Sequence, residues 1–515
     1  MNHSLKKELP IVLLCLLIGF GLRFYTIDQK SLWVDEVHTY NDSRDGIMEQ
    51  IKFFKENPTF LHPPFFFMLT HLFYPFEKPE WDLRIIPLIF GTFSIPMLYL
   101  LARQFSPNIA LFCTLSLTLM TYHISLSQDG RSYSLLMFLG MAGLSFFMKH
   151  LQSSKKRYLV LVALFSAVLF HTSYSSIPFI TLSQILWFYR PDEETNKPIL
   201  PSFFILNGLI LLFCLPWTIF VVGNYIGQPL TDSRHTEGTG SLFHILYGIL
   251  HDWVPNYPLT IVAFILLILS PIFIKFRKNG IVLLTIFFLP IGSLYLFCKL
   301  GNISHFITSR YFINFLPLFL VTLFLSLDAM EVRFERLRRL LRLRLLFVIL
   351  FIASNLTILP LYYRSEKQDF KGLVTYLKGH LRDGDKIVVG GTAFIPPILH
   401  YFGVHPEGRH HPLMFVKVSE KEIEYRKPLN YQDIKATVIY SESHWFKYFS
   451  DGSRLWIVSD KRNAKIFKEK IPCILKGYFD GSFLNFNRFP TDVSMYLFLW
   501  DPKSPNEEGI DMSIE

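Results

Sequence analysis

The chain has 515 residues, of which 51% are hydrophobic and only 18% charged, and its net charge is +10. A soluble protein of this length would carry about 25% charged residues, so these figures exclude a disordered chain, a collagen-like fibre and an ordinary cytosolic enzyme. The basic residues lie mostly between apolar runs, which ties the excess charge to orientation in a bilayer rather than to nucleic acid.

A membrane span needs about 20 mostly apolar residues. Candidate runs stand at 9–25, 84–104, 107–128, 132–151, 157–173, 174–190, 199–222, 258–276, 280–298, 308–328 and 343–362, which makes eleven. The first run follows Lys6 and Lys7 and has no small-residue cleavage site after it, so it reads as a retained span rather than a signal peptide. The apolar stretch 61–76 is short and opens with His62-Pro63-Pro64, and it is expected to lie at the interface. Lys and Arg mark every second connection, from Lys6/Lys7 through Arg103, Lys149 to Arg157, Arg190/Lys197 and Lys275 to Lys278. The densest cluster runs from Arg333 to Arg344. Taken as cytoplasmic, these put the loop 26–83, the turn 129–131, the loops 223–257 and 299–307, and everything after 362 outside.

Charge and turn residues return from Tyr363 onward. Ile387-Val388-Val389 and Leu455–Val458 read as buried strands, and Asp369–His380 has helical spacing. A second helix is expected over 464–470, with Asn463 as its cap. Residues 363–515 are therefore expected to form a soluble α/β domain behind a membrane domain, 1–362, that includes the outer loop. The five cysteines, Cys15, Cys113, Cys214, Cys298 and Cys473, form no CxxC pair or zinc spacing.

Polar groups next to spans are where function is sought. In the first outer loop Asp35 and Glu36 stand side by side. A carboxylate there can take a proton from an attacking hydroxyl or amine; Asp35 could equally cap a helix over 36–40. The turn Gln128-Asp129-Gly130-Arg131 carries an acid and a base that a minimal loop does not need. They could pair with each other, with Asp129 capping the next helix, or Arg131 could face an anion. Arg310 opens a late span, where a planar guanidinium suits phosphate and where snorkelling is also common. Arg234-His235, Arg84 and His62 complete the set. No Walker, HExxH or GxSxG pattern stands in a supporting context.

In their order along the chain these residues resemble the C-type membrane glycosyltransferases. The resemblance is nearest to the protein mannosyltransferase-like and aminoarabinose transferase-like members of glycosyltransferase family 39. The matching elements are Leu32-Trp33-x-Asp35-Glu36, His62-Pro63-Pro64, Leu83-Arg84, Ser127-Gln128-Asp129-x-Arg131-Ser132-Tyr133 and Ser309-Arg310-Tyr311 with Leu316-Pro317. The resemblance implies transfer of a sugar from a polyprenyl phosphate to a lipid, glycan or protein acceptor on the outer face of a bacterial inner membrane, usually with inversion. It implies Asp35 as catalytic carboxylate and Glu36 as its neighbour. It implies Arg131 and Arg310 with Tyr311 near the phosphate, Asp129 near the sugar, and Arg84 and His62 as further contacts; Arg234, in a loop that matches no family motif, is added as a candidate for the phosphate on its charge alone. His62 stands where some relatives carry a lysine. The wider class allows a divalent metal, but no ligand set stands out, and no cofactor is expected. The competing reading is a polyprenyl-linked sugar transporter or another lipid-binding membrane protein without chemistry; a transporter would place its polar groups near the midplane.

Overall fold

In a computed structural model the chain is described over residues 3–56, 62–190, 199–225, 240–301, 307–334, 342–390, 392–403, 429–430, 436–440, 452–481, 493–504 and 508–514. These fall into two compact units. One comprises Met1–Ile27, Leu61–Thr70 and Arg84–Leu361; the other comprises Asp28–Phe60, His71–Leu83 and Tyr362–Glu515. Most of the outer loop, which the sequence reading keeps with the first domain, thus groups with the C-terminal residues.

The first unit is helical. Among the described residues, six single helices are long and apolar enough to cross a membrane. They include Ile85–Phe105, Tyr133–Ser153, Ile199–Tyr225, Arg277–Leu300 and Leu343–Arg364. The sixth is Leu316–Arg333, entered through a 3₁₀ segment Ser309–Phe315. Their outward faces stay apolar: Phe204, Leu211, Leu212 and Ile219 all point outward from one helix. That arrangement is stable only where lipid is the solvent. Helices also form over His3–Phe24 and Lys156–Thr172, matching two more of the expected runs.

Three regions differ from straight spans. The run 107–128 is two helices, Pro107–Thr118 and Thr121–Ser127, bent by 61°. The run 174–190 is a 3₁₀ turn, a short α-helix Ile177–Leu182 and a second 3₁₀ segment. There the serines divert the backbone: Ser173 Oγ accepts from the Ser175 amide at 3.3 Å and Ser176 Oγ donates to the Ser173 carbonyl at 2.7 Å. Third, what reads as outer loop contains a helix, Leu242–Trp253, capped by Ser241 and turned by 110° into Tyr257–Phe273. Close packing supports the first bend. A Cβ on Gly91 would meet Ser127 Oγ at 2.1 Å, so only glycine lets Ile85–Phe105 approach the second half-helix this closely.

The second unit holds a six-stranded sheet. Its strands are β1 (Asp385–Val389), β2 (Leu429–Asn430), β3 (Ala436–Tyr440), β4 (Leu455–Asp460), β5 (Ile474–Phe479) and β6 (Met495–Trp500), in the order β2-β3-β1-β4-β6-β5. The strand β1 runs parallel to β3 and β4, while β6 runs antiparallel to β4 and β5. Side chains alternate between the faces, as the period of two requires. Ile387, Val389, Trp456 and Val458 pack with Phe370, Leu373 and Leu377 of the helix Phe370–His380. Val388, Leu455 and Ile457 pack with Ala464 and Phe467 of the helix Lys461–Lys470. This last helix starts earlier than expected, and its cap is Asp460 rather than Asn463: the Asp460 carboxylate accepts the Asn463 amide at 2.8 Å. The acid at the end of β4 is the first acceptor in reach of the open amides, so the helix begins there.

Candidate active site

In the helical unit the polar chemistry gathers around the bent pair. A helix broken in a membrane leaves carbonyls and amides with no water to satisfy them. Fully buried Arg23 donates to the carbonyls of Leu117 at 3.0 Å and Thr118 at 3.2 Å, which end the first half. It also reaches Nδ1 of His123, in the second half, at 2.7 Å. Asn355, also fully buried, accepts the Thr121 amide at 2.8 Å, and its carbonyl accepts the Thr121 hydroxyl at 2.9 Å. Gln128 closes the arrangement by donating to the carbonyls of Arg23 at 2.9 Å and Tyr25 at 2.5 Å.

The break aims the second half-helix at a charged cluster. Tyr122 has Asp252, Ser309, Tyr133 and Arg310 as its electrostatic neighbours. The Asp252 carboxylate is buried and accepts from the Ser309 hydroxyl. Arg310 is half-buried, with its guanidinium 5.8 Å from the centre of the Tyr311 ring. The turn that precedes Tyr133 holds Asp129, buried, and Arg131, half-buried; the Arg131 amide donates to the Asp129 carbonyl at 2.6 Å. Through Tyr122, then, the start of the second half-helix, the start of Tyr133–Ser153 and the 3₁₀ segment at Ser309 meet, and two separated sequence motifs become neighbours. Asp129 does not cap the following helix; Ser132 occupies that position.

Arg84, at the start of Ile85–Phe105, is 1% exposed and donates to the Ile27 carbonyl at 2.7 Å. His62 is half-buried with its ring 6.1 Å from that of Phe67. Arg234 lies outside the described residues.

Asp35 and Glu36 belong to the other unit. The helix there is Val34–Ser43, with Trp33 at the cap position. Asp35 therefore sits inside the first turn and is not the cap. Its neighbour Glu36 is fully buried and accepts the Trp33 amide at 3.4 Å, taking up an amide that the helix itself cannot satisfy. Two carboxylates at a helix start also suit its dipole. Just upstream, buried Lys30 donates to the carbonyls of Tyr362 and Ser365 and lies 4.1 Å from the Tyr362 ring centre. The Lys367 ammonium stands 5.9 Å from the ring centre of Trp33. Further along the helix, burial pushes the Tyr40 phenol up from its ordinary range, and Arg44 partly offsets this.

Sequence reasoning missed Arg23, Asp252, Lys30 and Lys367. Arg23 and Lys30 flank an apolar run and read as ordinary flanking cations; Asp252 and Lys367 carry no motif. Among the described residues, no group of three or more His, Cys, Asp or Glu side chains is arranged to hold a metal ion.

Residues 61–220 match the family described as dolichyl-phosphate-mannose-protein mannosyltransferase. No curated protein matches the chain by sequence. Among solved structures, ArnT from Cupriavidus metallidurans in the apo state superimposes with a TM-score of 0.52 at 12% identity, covering 96% of this chain and 98% of that one. The same enzyme bound to undecaprenyl phosphate gives 0.54 at 13% identity, covering 95% and 98%. The Archaeoglobus fulgidus oligosaccharyltransferase tethered to an acceptor peptide gives 0.50 at 13% identity, covering 96% of this chain and 74% of that one. Apolar helices followed by a small sheet domain, together with these likenesses, make the chain an integral membrane protein with the fold of the C-type glycosyltransferases.

Proposed function

We propose that this protein transfers a sugar from a polyprenyl-phosphate donor to an acceptor on the extracytoplasmic face of a bacterial inner membrane, with inversion at the anomeric carbon. The observation that carries this reading is the gathering of Arg310, Tyr122, Ser309 and Tyr133 around one broken helix in a chain whose fold it shares with an undecaprenyl-phosphate-bound enzyme. The acceptor oxygen or nitrogen attacks the anomeric carbon. The bond from that carbon to the phosphate oxygen breaks, and polyprenyl phosphate leaves with the bonding electrons. The acceptor's proton passes to the Asp35 carboxylate. Arg131 and Arg310 donate to the departing phosphate, where charge-assisted bonds are strongest. Asp129 orients the sugar, and Glu36, held by the Trp33 amide, keeps the base in place. Arg84, His62, Tyr311 and Arg234 remain candidate contacts for the donor.

A transporter would carry its polar groups along a pathway near the midplane. Asn355, a polar group well inside a span, is instead committed to the Thr121 backbone. This favours chemistry over transport.

The test is single-turnover transfer in membranes with labelled polyprenyl-phosphate sugar. Asp35→Asn should cost about 10²–10⁴-fold in rate with donor binding nearly unchanged. Transfer within about threefold of wild type would remove Asp35 as the base, since that is far short of a lost general base.

A further inference from the structure

The backbone that presents Asp35 is held almost amide by amide, and the acceptors come from residues far along the chain. The Ser31 amide donates to the Glu366 carboxylate at 3.0 Å, and Ser31 Oγ accepts the Lys371 amide at 3.1 Å. The Leu32 amide donates to the Tyr401 phenol at 2.6 Å, and that phenol donates onward to Glu80 at 3.1 Å. The Val34 amide donates to the Gln368 side-chain oxygen at 3.2 Å. Leu32 and Gln368 are buried, so water does not replace these contacts cheaply. The first amides of any helix lack partners within it. Here the acceptors outside the helix decide where it starts, and the start fixes the direction in which Asp35, one residue on, points.

We propose that Tyr401 and Gln368 are positioning residues for Asp35, and that residues 366–401 serve the reaction by fixing the first turn of Val34–Ser43. The proposal rests on the reading of Asp35 as general base. A misplacement of about 1 Å in a reacting group can cost about 10²-fold. Neither side chain need touch substrate for its loss to be felt in the chemical step.

The experiment uses the full-length protein in membranes. Tyr401→Phe removes the acceptor for Leu32 and the donor to Glu80 while keeping the ring. Gln368→Leu removes the acceptor for Val34, and Gln368→Glu keeps one. Tyr401→Phe and Gln368→Leu should each lower single-turnover transfer by about 10–100-fold with donor affinity within about twofold. Gln368→Glu should recover most of the rate. Placed on Asp35→Asn, the same changes should lower the residual rate by less than about twofold, because residues that act through one group are not additive. Equal losses in both backgrounds, or a parallel loss of donor affinity, would make these contacts structural only and overturn the proposal. Full activity of both variants beside an inactive Asp35→Asn would also overturn it while leaving the base in place. Full activity of Asp35→Asn would remove the base and the proposal together. If Tyr401→Phe does not fold, the contrast between Leu and Glu at 368 decides.

Discussion

Arg23 donates to Nδ1 of His123 at 2.7 Å across the gap between two half-helices. A guanidinium has no acceptor to offer, so the imidazole must accept at Nδ1 and carry its proton on Nε2. The pair is held by the carbonyls of Leu117 and Thr118, which Arg23 also binds. Arg23→Met keeps much of the stem but strips these carbonyls of their partner. Each bond to a charged donor is worth about 1.5–3 kcal/mol, so the loss should be about 3 kcal/mol or more. Thermal unfolding in detergent should show a fall of several degrees; a change under about 1 °C would mean that the break is satisfied in another way.

Arg310 and Arg131 carry the phosphate in the proposed reaction. Alanine at either position should weaken donor binding by about ten- to a hundredfold, the cost of a charge-assisted contact. Lysine at 310 should restore only part, because it lacks the planar fork. Titration of the donor into purified variants reads this directly. Unchanged affinity in both would take them out of the site.

Sidedness is open to thiol labelling. Lys465 is exposed on the helix Lys461–Lys470, and Arg342 is exposed beside the start of Leu343–Arg364. In intact cells Lys465→Cys should react with an impermeant reagent and Arg342→Cys should not. Native Cys473 should add little background, since burial pushes its thiol up to about 12. Only the thiolate reacts, and at pH 8 it would be about one part in 10⁴. The reverse pattern would place Asp35 in the cytoplasm.

Asp369 caps Phe370–His380 by accepting the Gly372 amide at 2.7 Å. Burial raises its carboxyl above the usual range, the Gly372 bond lowers it, Asp480 raises it and Lys371 lowers it. The folded state therefore holds the proton more tightly than the unfolded chain. The stability that this group contributes is complete below the unfolded value of about 3.9 and is lost as pH rises through the folded value. Asparagine caps as well as aspartate and does not ionise. Asp369→Asn should be the more stable form at pH 7, with its advantage gone near pH 4 in thermal unfolding at both values. A less stable variant at pH 7 would show that the ionised cap is favoured.

The sequence revealed what depends on local pattern. Apolar length located most of the helices, and short continuous apolar runs located β1 and β4. It could not reveal the bend after Thr118, because the cause lies in Arg23 and Asn355, distant in the chain by 95 and 234 residues. The helix Leu242–Trp253 was hidden among loop residues because its 12 residues fall short of a membrane span. The residues Ser127–Tyr133 and Ser309–Tyr311 were legible as separate motifs; that Tyr122 joins them was not, since a buried tyrosine in an apolar run resembles packing. Asp35 was visible through its setting Leu32-Trp33-x-Asp35-Glu36. Its tethers were not, because Gln368 and Tyr401 take their meaning only from the amides they meet.

Those tethers also set an order for biosynthesis. Ser31 and Glu366 are 335 residues apart. At about 5–20 residues per second, the ribosome needs about 17–70 s to deliver the partner after the loop has emerged. Through that interval the segment around Asp35 has left the ribosome with its amides unmatched. A chain truncated before Gln368 would keep most of its apolar helices and never settle the segment around Asp35.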